Sequence, residues 1–320
     1  MATRTTRDRV STAHRHIQTL RPEDVPQLRL GLRSMIDNRE VVDMLLRYPK
    51  RSVWEPQGRE FAVVAPWRHR DDIASLHRWS AVRAASALLE GAAERCRAAG
   101  DDLLLVMELE DARSGRFYER AGFDLLQEVI TYEMVGPVAE TVPASSLSFR
   151  RVQAEDPAKV QQLLDLDHAA FPWLWRNSAA EFNTYLRTAG VTAYIGYDGD
   201  VPIAYVGVTA YQGWGHLDRI AVTPRRQGRG LGLTALQFAI TTLAANGARR
   251  FGLSTQDDNK RSQRMYERFG FRRSDVNDYR LYGAALTTHA REQMAMTASP
   301  GERTGETIGY EVEKEIITGE

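Results

Sequence analysis

Three glycines at alternate positions, Gly228, Gly230 and Gly232, stand between the end of an apolar strand and the start of an apolar helix. The strand stops at Val222-Thr223-Pro224, a basic turn Arg225-Arg226-Gln227 follows, and the helical run begins at Leu231. Such a turn can lay consecutive backbone N–H groups against a diphosphate, because glycine leaves room for close approach and a helix N-terminus favours negative charge. Arg225, Arg226 and Arg229 can add charge-assisted contacts to phosphate oxygens. Two familiar phosphate motifs do not fit. A P-loop lacks its lysine here, and a dinucleotide fingerprint would need glycine where Leu233 stands and an acid near Arg249, Arg250 and Phe251.

The pattern that fits is Gln227-Gly228-Arg229-Gly230-Leu231-Gly232, followed by a short strand Arg250–Ser254. After that strand comes Asn259-Lys260-Arg261-Ser262-Gln263-Arg264-Met265-Tyr266-Glu267-Arg268-Phe269-Gly270-Phe271. Loop, strand, Asn, Tyr and Gly-Phe in this order resemble the GCN5-related N-acetyltransferase (GNAT) superfamily over residues 146–286. The resemblance implies an acetyl-CoA co-substrate, no metal, and a sheet that splays open beside the glycine loop. Residues from Arg226 to Gly232 would then hold the diphosphate, Asn259 and Ser262 would bind the cofactor arm, and Ile220, Ala221 and Val222 would offer backbone N–H groups. Asn259 is equally suited to cap the helix that follows it. Tyr266 matches the family tyrosine that points at the CoA sulfur, and so is expected to be the general acid.

Acetyl transfer to an amine needs a base for the ammonium proton, an acid for a thiolate of pKa ~8.5, and a donor to the oxyanion. In Gly215-His216-Leu217-Asp218-Arg219-Ile220, period-two alternation puts His216, Asp218 and Ile220 on one strand face. A His216–Asp218 pair can relay the proton through water, since histidine titrates near neutrality. Glu155 and His168 are weaker bases for the role. Phe171, Trp173 and Trp175 lie where the family walls its acceptor groove. Aromatic faces there suit an ammonium group, and suit internal packing equally well. The acceptor is expected to be a small-molecule amine or a protein N-terminus. The alternative to an enzyme is a non-catalytic acyl-CoA-binding or scaffold protein.

Around these residues the pattern predicts a strand from Leu147, helices near Val160–His168 and Ala179–Leu186, and strands over 192–197, 202–211 and 215–222. The helix Leu231–Ala245 puts Leu236, Ala239, Ile240 and Leu243 on one face, with Asn246-Gly247 as its stop. Tyr279–Tyr282 can close the sheet.

A repeat organises the rest. Phe117-Tyr118-Glu119-Arg120-Ala121-Gly122-Phe123 echoes the segment Met265–Phe271, and Leu20-Arg21-Pro22-Glu23-Asp24 echoes Val152-Gln153-Ala154-Glu155-Asp156. The expected fold is therefore α/β, two tandem GNAT-like domains, each a mostly antiparallel splayed sheet flanked by helices. The boundaries predicted are a basic arm at 1–14, a degenerate copy at 15–135, a linker at 136–146, a catalytic copy at 147–286 and a polar tail at 287–320. The first copy looks disabled. Its strand Phe61–Pro66 runs into Trp67-Arg68-His69-Arg70 with no glycine before a helix expected near Ser80, and Asp111 is the nearest equivalent of Asn259. Arg68 to Arg70 could bind an anion, or form a solvated loop.

Composition sets outer limits. The 320 residues suit two domains, and 42 basic residues balance 42 acidic ones. That balance argues against bulk attraction to nucleic acid or membrane. The single cysteine, Cys96, falls on an apolar helical stripe and reads as a buried small hydrophobe. No apolar run approaches the length needed to cross a bilayer. Arg4, Arg7, Arg9 and Arg15 make a basic N-terminal arm, read as part of a cytoplasmic protein, monomeric or homodimeric. Ile308, Tyr310 and Val312 alternate in the tail, which allows a short edge strand.

Overall fold

The computed structural model describes residues 17–28, 38–109, 113–136, 147–298 and 307–308. The basic arm, Asp111 and all of the predicted linker except Gly136 lie outside them. The chain forms two compact units, and neither is one continuous stretch. The first comprises Met1–Leu126 with Leu281–Glu292, the second Gln127–Arg280 with Gln293–Glu320. This departs from the linear boundaries read from the sequence. Each unit closes its sheet with residues from the other copy's last strand, which a cut along the sequence does not reveal.

In the first unit, strands β1 (Gln18–Thr19), β2 (Val53–Glu55), β3 (Glu60–Pro66) and β4 (Ile73–Ser80) pair antiparallel in that order. β5 (Leu103–Glu108) pairs parallel with β4, which demands a crossover connection. The crossover is helix α2 (Ala85–Ala99), preceded in the chain by α1 (Asn38–Arg47) and followed by α3 (Gly115–Arg120). The run Phe61-Ala62-Val63-Val64 is apolar throughout because β3 is covered on both faces. Phe61 and Val63 pack with Val41 and Leu45 of α1, whereas Ala62 and Val64 pack with Leu88, Leu89 and Ala92 of α2. Cys96 belongs to the second cluster and is fully buried, as its stripe predicted, and burial pushes its thiol pKa well up.

The second unit holds β6 (Asp124–Val135) from Gln127 onward, β7 (Leu147–Val152), β8 (Val191–Asp198), β9 (Val201–Tyr211), β10 (Trp214–Val222), β11 (Arg250–Gln256), most of β12 (Arg272–Ala285) and β13 (Thr307–Ile308). Its helices are α4 (Pro157–Ala170), α5 (Ala179–Arg187), α6 (Leu231–Ala245), α7 (Lys260–Phe269) and most of α8 (Thr288–Ala298). β7, β8, β9 and β10 pair antiparallel in sequence order, and β11 pairs antiparallel with β6. The predicted strands and helices of this half are all present; α6 has the bounds read from the sequence, most others run one to three residues longer, and the strand read at Tyr279–Tyr282 extends over Arg272–Ala285. Leu236, Ala239, Ile240 and Leu243 of α6 are buried as the spacing required. Truncating one of these leucines to alanine costs about 2–5 kcal/mol.

The join between β10 and β11 positions everything that follows. The two strands run parallel and pair only over Trp214–Leu217 with Arg250–Leu253. Beyond Leu253, β11 stays paired with β6 through Gln256. β10 stays paired with β9 through Val222. Their facing edges therefore part after Leu217, giving the splay expected of the second copy. In that opening the backbone of β13 pairs antiparallel with β10, Thr307 opposite Ile220 and Ile308 opposite Arg219. The edge strand anticipated in the tail thus forms at Ile308, while Tyr310 and Val312 lie outside the described residues.

Candidate active site

β10 ends at Val222, where Thr223 N donates to Ile203 O at 2.8 Å and the turn Pro224–Arg226 begins. Gln227 then pins the loop from two sides. Its Nε2 donates to Val222 O at 2.9 Å, and its Oε1 accepts from Arg261 Nη1 of α7 at 3.1 Å. Gly228 and Gly230 hold φ near 78° and 79°, and a Cβ at either would meet nothing within 4 Å. Both features suit glycine: the backbone needs the left-handed region, and its surface is open to a ligand. Gly230 caps α6 without any side-chain hydrogen bond, which leaves that N-terminus for an external anion.

The glycine loop and α7 together enclose a cavity of about 300 Å³. Val222, Gln227, Gly228, Gly230, Gly232 and Ser262 line it, in keeping with the sequence reading. Arg261, Arg264 and Arg268 also line it. These three lie at i, i+3 and i+7 of α7, a spacing that puts them on one helix face. That spacing is visible in the sequence, inside the segment that also carries Asn259 and Tyr266. Of the loop arginines, Arg226 pairs with Asp198 at 3.3 Å, while Arg225 and Arg229 are exposed. Asn259 caps α7 by accepting from Ser262 N at 3.3 Å and is nearly enclosed.

His216 and Asp218 meet as expected. Asp218 Oδ1 lies 2.7 Å from His216 Nδ1, and the two side chains are 13% and 12% exposed. Ile220 does not share their face. Leu217 pairs with Val208 but Arg219 with Gly207, so the register slips by a bulge at Asp218. Beyond the bulge the alternation is reversed, and Ile220 packs with Leu217, Ala235 and Leu236 under α6. Ala221 and Val222 are buried as well.

The same bulge sends Arg219 inward. Its Nη2 donates to Asp167 Oδ1 at 2.5 Å and to the Trp175 carbonyl at 3.0 Å, and its Nε donates to Tyr205 Oη at 2.9 Å. Asn177 N donates to the other carboxylate oxygen of Asp167 at 2.8 Å. The Arg219 guanidinium sits 3.9 Å over the ring of Phe171. The aromatic wall proposed for the acceptor is thereby corrected. Phe171 and Trp175 are buried around this ion pair and Trp173 is 9% exposed, so these rings serve the core and offer a ligand little surface. Of the weaker bases, Glu155 is exposed and paired with Arg187 at 2.9 Å, and His168 Nε2 lies 2.8 Å from Asn177 O.

Tyr266 lies on α7 and is 0% exposed. It packs with Phe271 and Tyr132, ring centroids 6.2 Å away in both cases. A ligand that reaches its hydroxyl must displace what now covers it. Tyr132 donates to Glu267 Oε1 at 3.0 Å, and burial together with that carboxylate raises its pKa to about 12.

The first unit has a comparable β4–α2–β5 crossover, but no glycine stands between β4 and α2. The sequence reading placed the crossover directly after Phe61–Pro66; β4 intervenes, and the helix starts at Ala85 rather than near Ser80. The connection Ala81-Val82-Arg83-Ala84 is covered by the carboxylate of Glu60, which accepts from Val82 N at 2.9 Å, Arg83 N at 3.1 Å and Ala84 N at 2.8 Å. Arg68 and His69 adopt φ of 51° and 49°, and Arg70 Nε donates to Asp72 at 2.7 Å.

Comparison with known proteins agrees with this geometry. Residues 160–271 match the family model of the acetyltransferase (GNAT) family. A tandem GNAT protein from the clavulanic acid biosynthesis pathway aligns over 85% of this chain and 98% of its own, at 18% identity and a TM-score of 0.54. A GCN5-related N-acetyltransferase from Sphaerobacter thermophilus aligns over 84% and 95%, at 16% identity and a TM-score of 0.56. One from Kribbella flavida aligns over 93% and 84%, at 13% identity and a TM-score of 0.58. Residues 160–271 thus carry an acetyltransferase (GNAT) family domain, and the chain over most of its length has the tandem GNAT fold.

Proposed function

We propose that the protein is an acetyl-CoA-dependent N-acetyltransferase that moves an acetyl group to a primary amine by direct attack with both substrates bound. The observation that carries this reading is the parting of β10 from β11 after Leu217, with the glycine loop at its end and a histidine–aspartate pair at its root. Gly228, Gly230 and the α6 N-terminus would receive the diphosphate, and Arg261, Arg264 and Arg268 would add positive charge. The β10 edge beyond Leu217, once β13 is displaced from it, would offer backbone N–H groups to an extended arm and to the carbonyl oxygen under attack. His216 accepts the ammonium proton, directly or through water, with Asp218 stabilising the imidazolium. Tyr266 donates a proton to the departing thiolate.

The enclosure of Tyr266 is the one observation that favours the second reading, an acyl-CoA-binding protein without turnover. A panel of small amines and N-terminal peptides, assayed for free thiol with saturating acetyl-CoA, separates the two. Thiol release with any acceptor supports transfer, and tight acetyl-CoA binding with no release from any acceptor supports the second reading.

A further inference from the structure

Asp218 has more partners than a proton relay needs. Its Oδ2 accepts from Tyr185 Oη of α5 at 2.6 Å and from Thr209 Oγ1 of β9 at 2.6 Å, while Oδ1 faces His216 Nδ1 at 2.7 Å. An ionised carboxylate only accepts hydrogen bonds. With Oδ2 taken by two hydroxyls, Oδ1 is left for His216, and the proton between them belongs to Nδ1. The imidazole Nε2 then carries the lone pair.

Two glycines make room for this arrangement, one on each strand flanking β10. A Cβ at Gly207 of β9 would stand 2.4 Å from Tyr185 Oη and 3.1 Å from its Cζ. A Cβ at Gly252 of β11 would stand 2.7 Å from Trp214 Cζ2 and 3.4 Å from His216 Cδ2. Glycine inside a strand weakens it and marks a close approach. Gly207 is where Tyr185 crosses the sheet to reach Asp218. Gly252 is where His216 and Trp214 lie across it, stacked with ring centroids 5.2 Å apart.

We propose that Tyr185 is a positioning residue: with Thr209 it fixes Asp218 so that His216 keeps its proton on Nδ1 and presents a bare Nε2 to the acceptor amine. The proposal rests on the acetyltransferase reading for its purpose, though not for its geometry. Burial and the neighbouring Asp218 charge both push the Tyr185 pKa well up, so its hydroxyl stays a donor throughout the neutral range.

The test uses the full-length protein with ¹⁵N-labelled histidine. Long-range proton–nitrogen correlation at neutral pH reads the tautomer, and loss of one ring signal in His216→Gln assigns it. The expected result is the Nδ1–H tautomer for wild type and a mixture of tautomers in Tyr185→Phe. Gly207→Ala, which pushes the hydroxyl away, should give the same mixture and should add little to Tyr185→Phe. Thr209→Val provides a second, smaller probe of the same carboxylate oxygen. A wild-type Nε2–H tautomer, or a tautomer unmoved in both Tyr185→Phe and Gly207→Ala, overturns the proposal. In turnover, Tyr185→Phe should lower kcat about tenfold with acetyl-CoA affinity unchanged. Tight acetyl-CoA binding with an unmoved tautomer removes the present inference alone. The expected tautomers with no acetyl-CoA binding remove the acetyltransferase reading and leave the Tyr185–Asp218 geometry standing.

Discussion

Glu60 reaches from β3 to the start of α2 and accepts a hydrogen bond from Ala84 N at 2.8 Å, with Val82 and Arg83 N donating to the same carboxylate. The first unit thus fills with its own side chain the place where the second unit sets Gly228 and Gly230. A carboxylate there satisfies orphan helix donors and favours the positive end of the dipole. It also takes up the amides of Val82, Arg83 and Ala84 and sets a negative charge where a diphosphate would sit. Glu60→Ala should therefore destabilise the protein by about 1–3 kcal/mol, seen as a lower melting temperature.

The pH dependence of that contribution has a definite sign. Burial acts to raise the Glu60 pKa, but the backbone donors at Ala84, Arg83 and Val82 outweigh it and hold the carboxyl below its ordinary value. Its stabilisation is thus fully present above the unfolded pKa of about 4.3 and fades as pH falls through the lower folded value. Melting curves of wild type and Glu60→Gln should differ at pH 7 and converge in strong acid. A constant gap across that range would contradict the assignment.

Arg264 offers a test of the cavity between the glycine loop and α7. Arg264→Glu should weaken acetyl-CoA about tenfold or more, with the loss shrinking at high salt. Acetyl-pantetheine lacks the diphosphate, so the same substitution should leave its affinity unchanged. Equal losses for both ligands would move the arginines away from the phosphates.

For Tyr266, phenylalanine fills the same buried space and removes only the hydroxyl. Tyr266→Phe should lower kcat by about 10²-fold while KM for acetyl-CoA and the melting temperature hold. A change confined to stability would assign this tyrosine to the core alone.

Thr307 and Ile308 pair with the edge of β10 that an extended cofactor arm would need. Thr307→Pro removes a backbone donor, and proline pairs poorly within a ladder. The variant should bind acetyl-CoA more tightly than wild type in calorimetry. Unchanged affinity would mean that strand and ligand do not compete.

Legibility in the sequence followed the chemistry. The glycine loop and the Asn259–Tyr266–Phe271 series were readable because ligand approach and helix geometry restrict which residue types can stand there. The helix α6 was readable because one apolar face repeats at a helical period. The exchange of closing strands was not, since 124–135 and 272–285 carry the same alternation whichever sheet receives them. The bulge at Asp218 left no local mark, so Ile220 was assigned to the wrong face. Phe171, Trp173 and Trp175 looked like a groove wall because their burial depends on Arg219 and Asp167, distant in sequence. Gly207 and Gly252 drew no reading from the sequence, because the close approach of Tyr185, Trp214 and His216 to them exists only in the folded sheet.

The central claim is one working acetyl-CoA site, in the second unit. Titrating acetyl-CoA into the full-length protein by calorimetry tests it most directly, with Gly230→Asp as the companion variant. At Gly230 a Cβ meets nothing within 4 Å, and its left-handed φ costs an aspartate only about 1–2 kcal/mol, so the variant should block and repel the diphosphate with the domain still folded. One site per chain, lost in Gly230→Asp while the melting transition persists, is the predicted result. Two sites, or one that survives the aspartate, would contradict it.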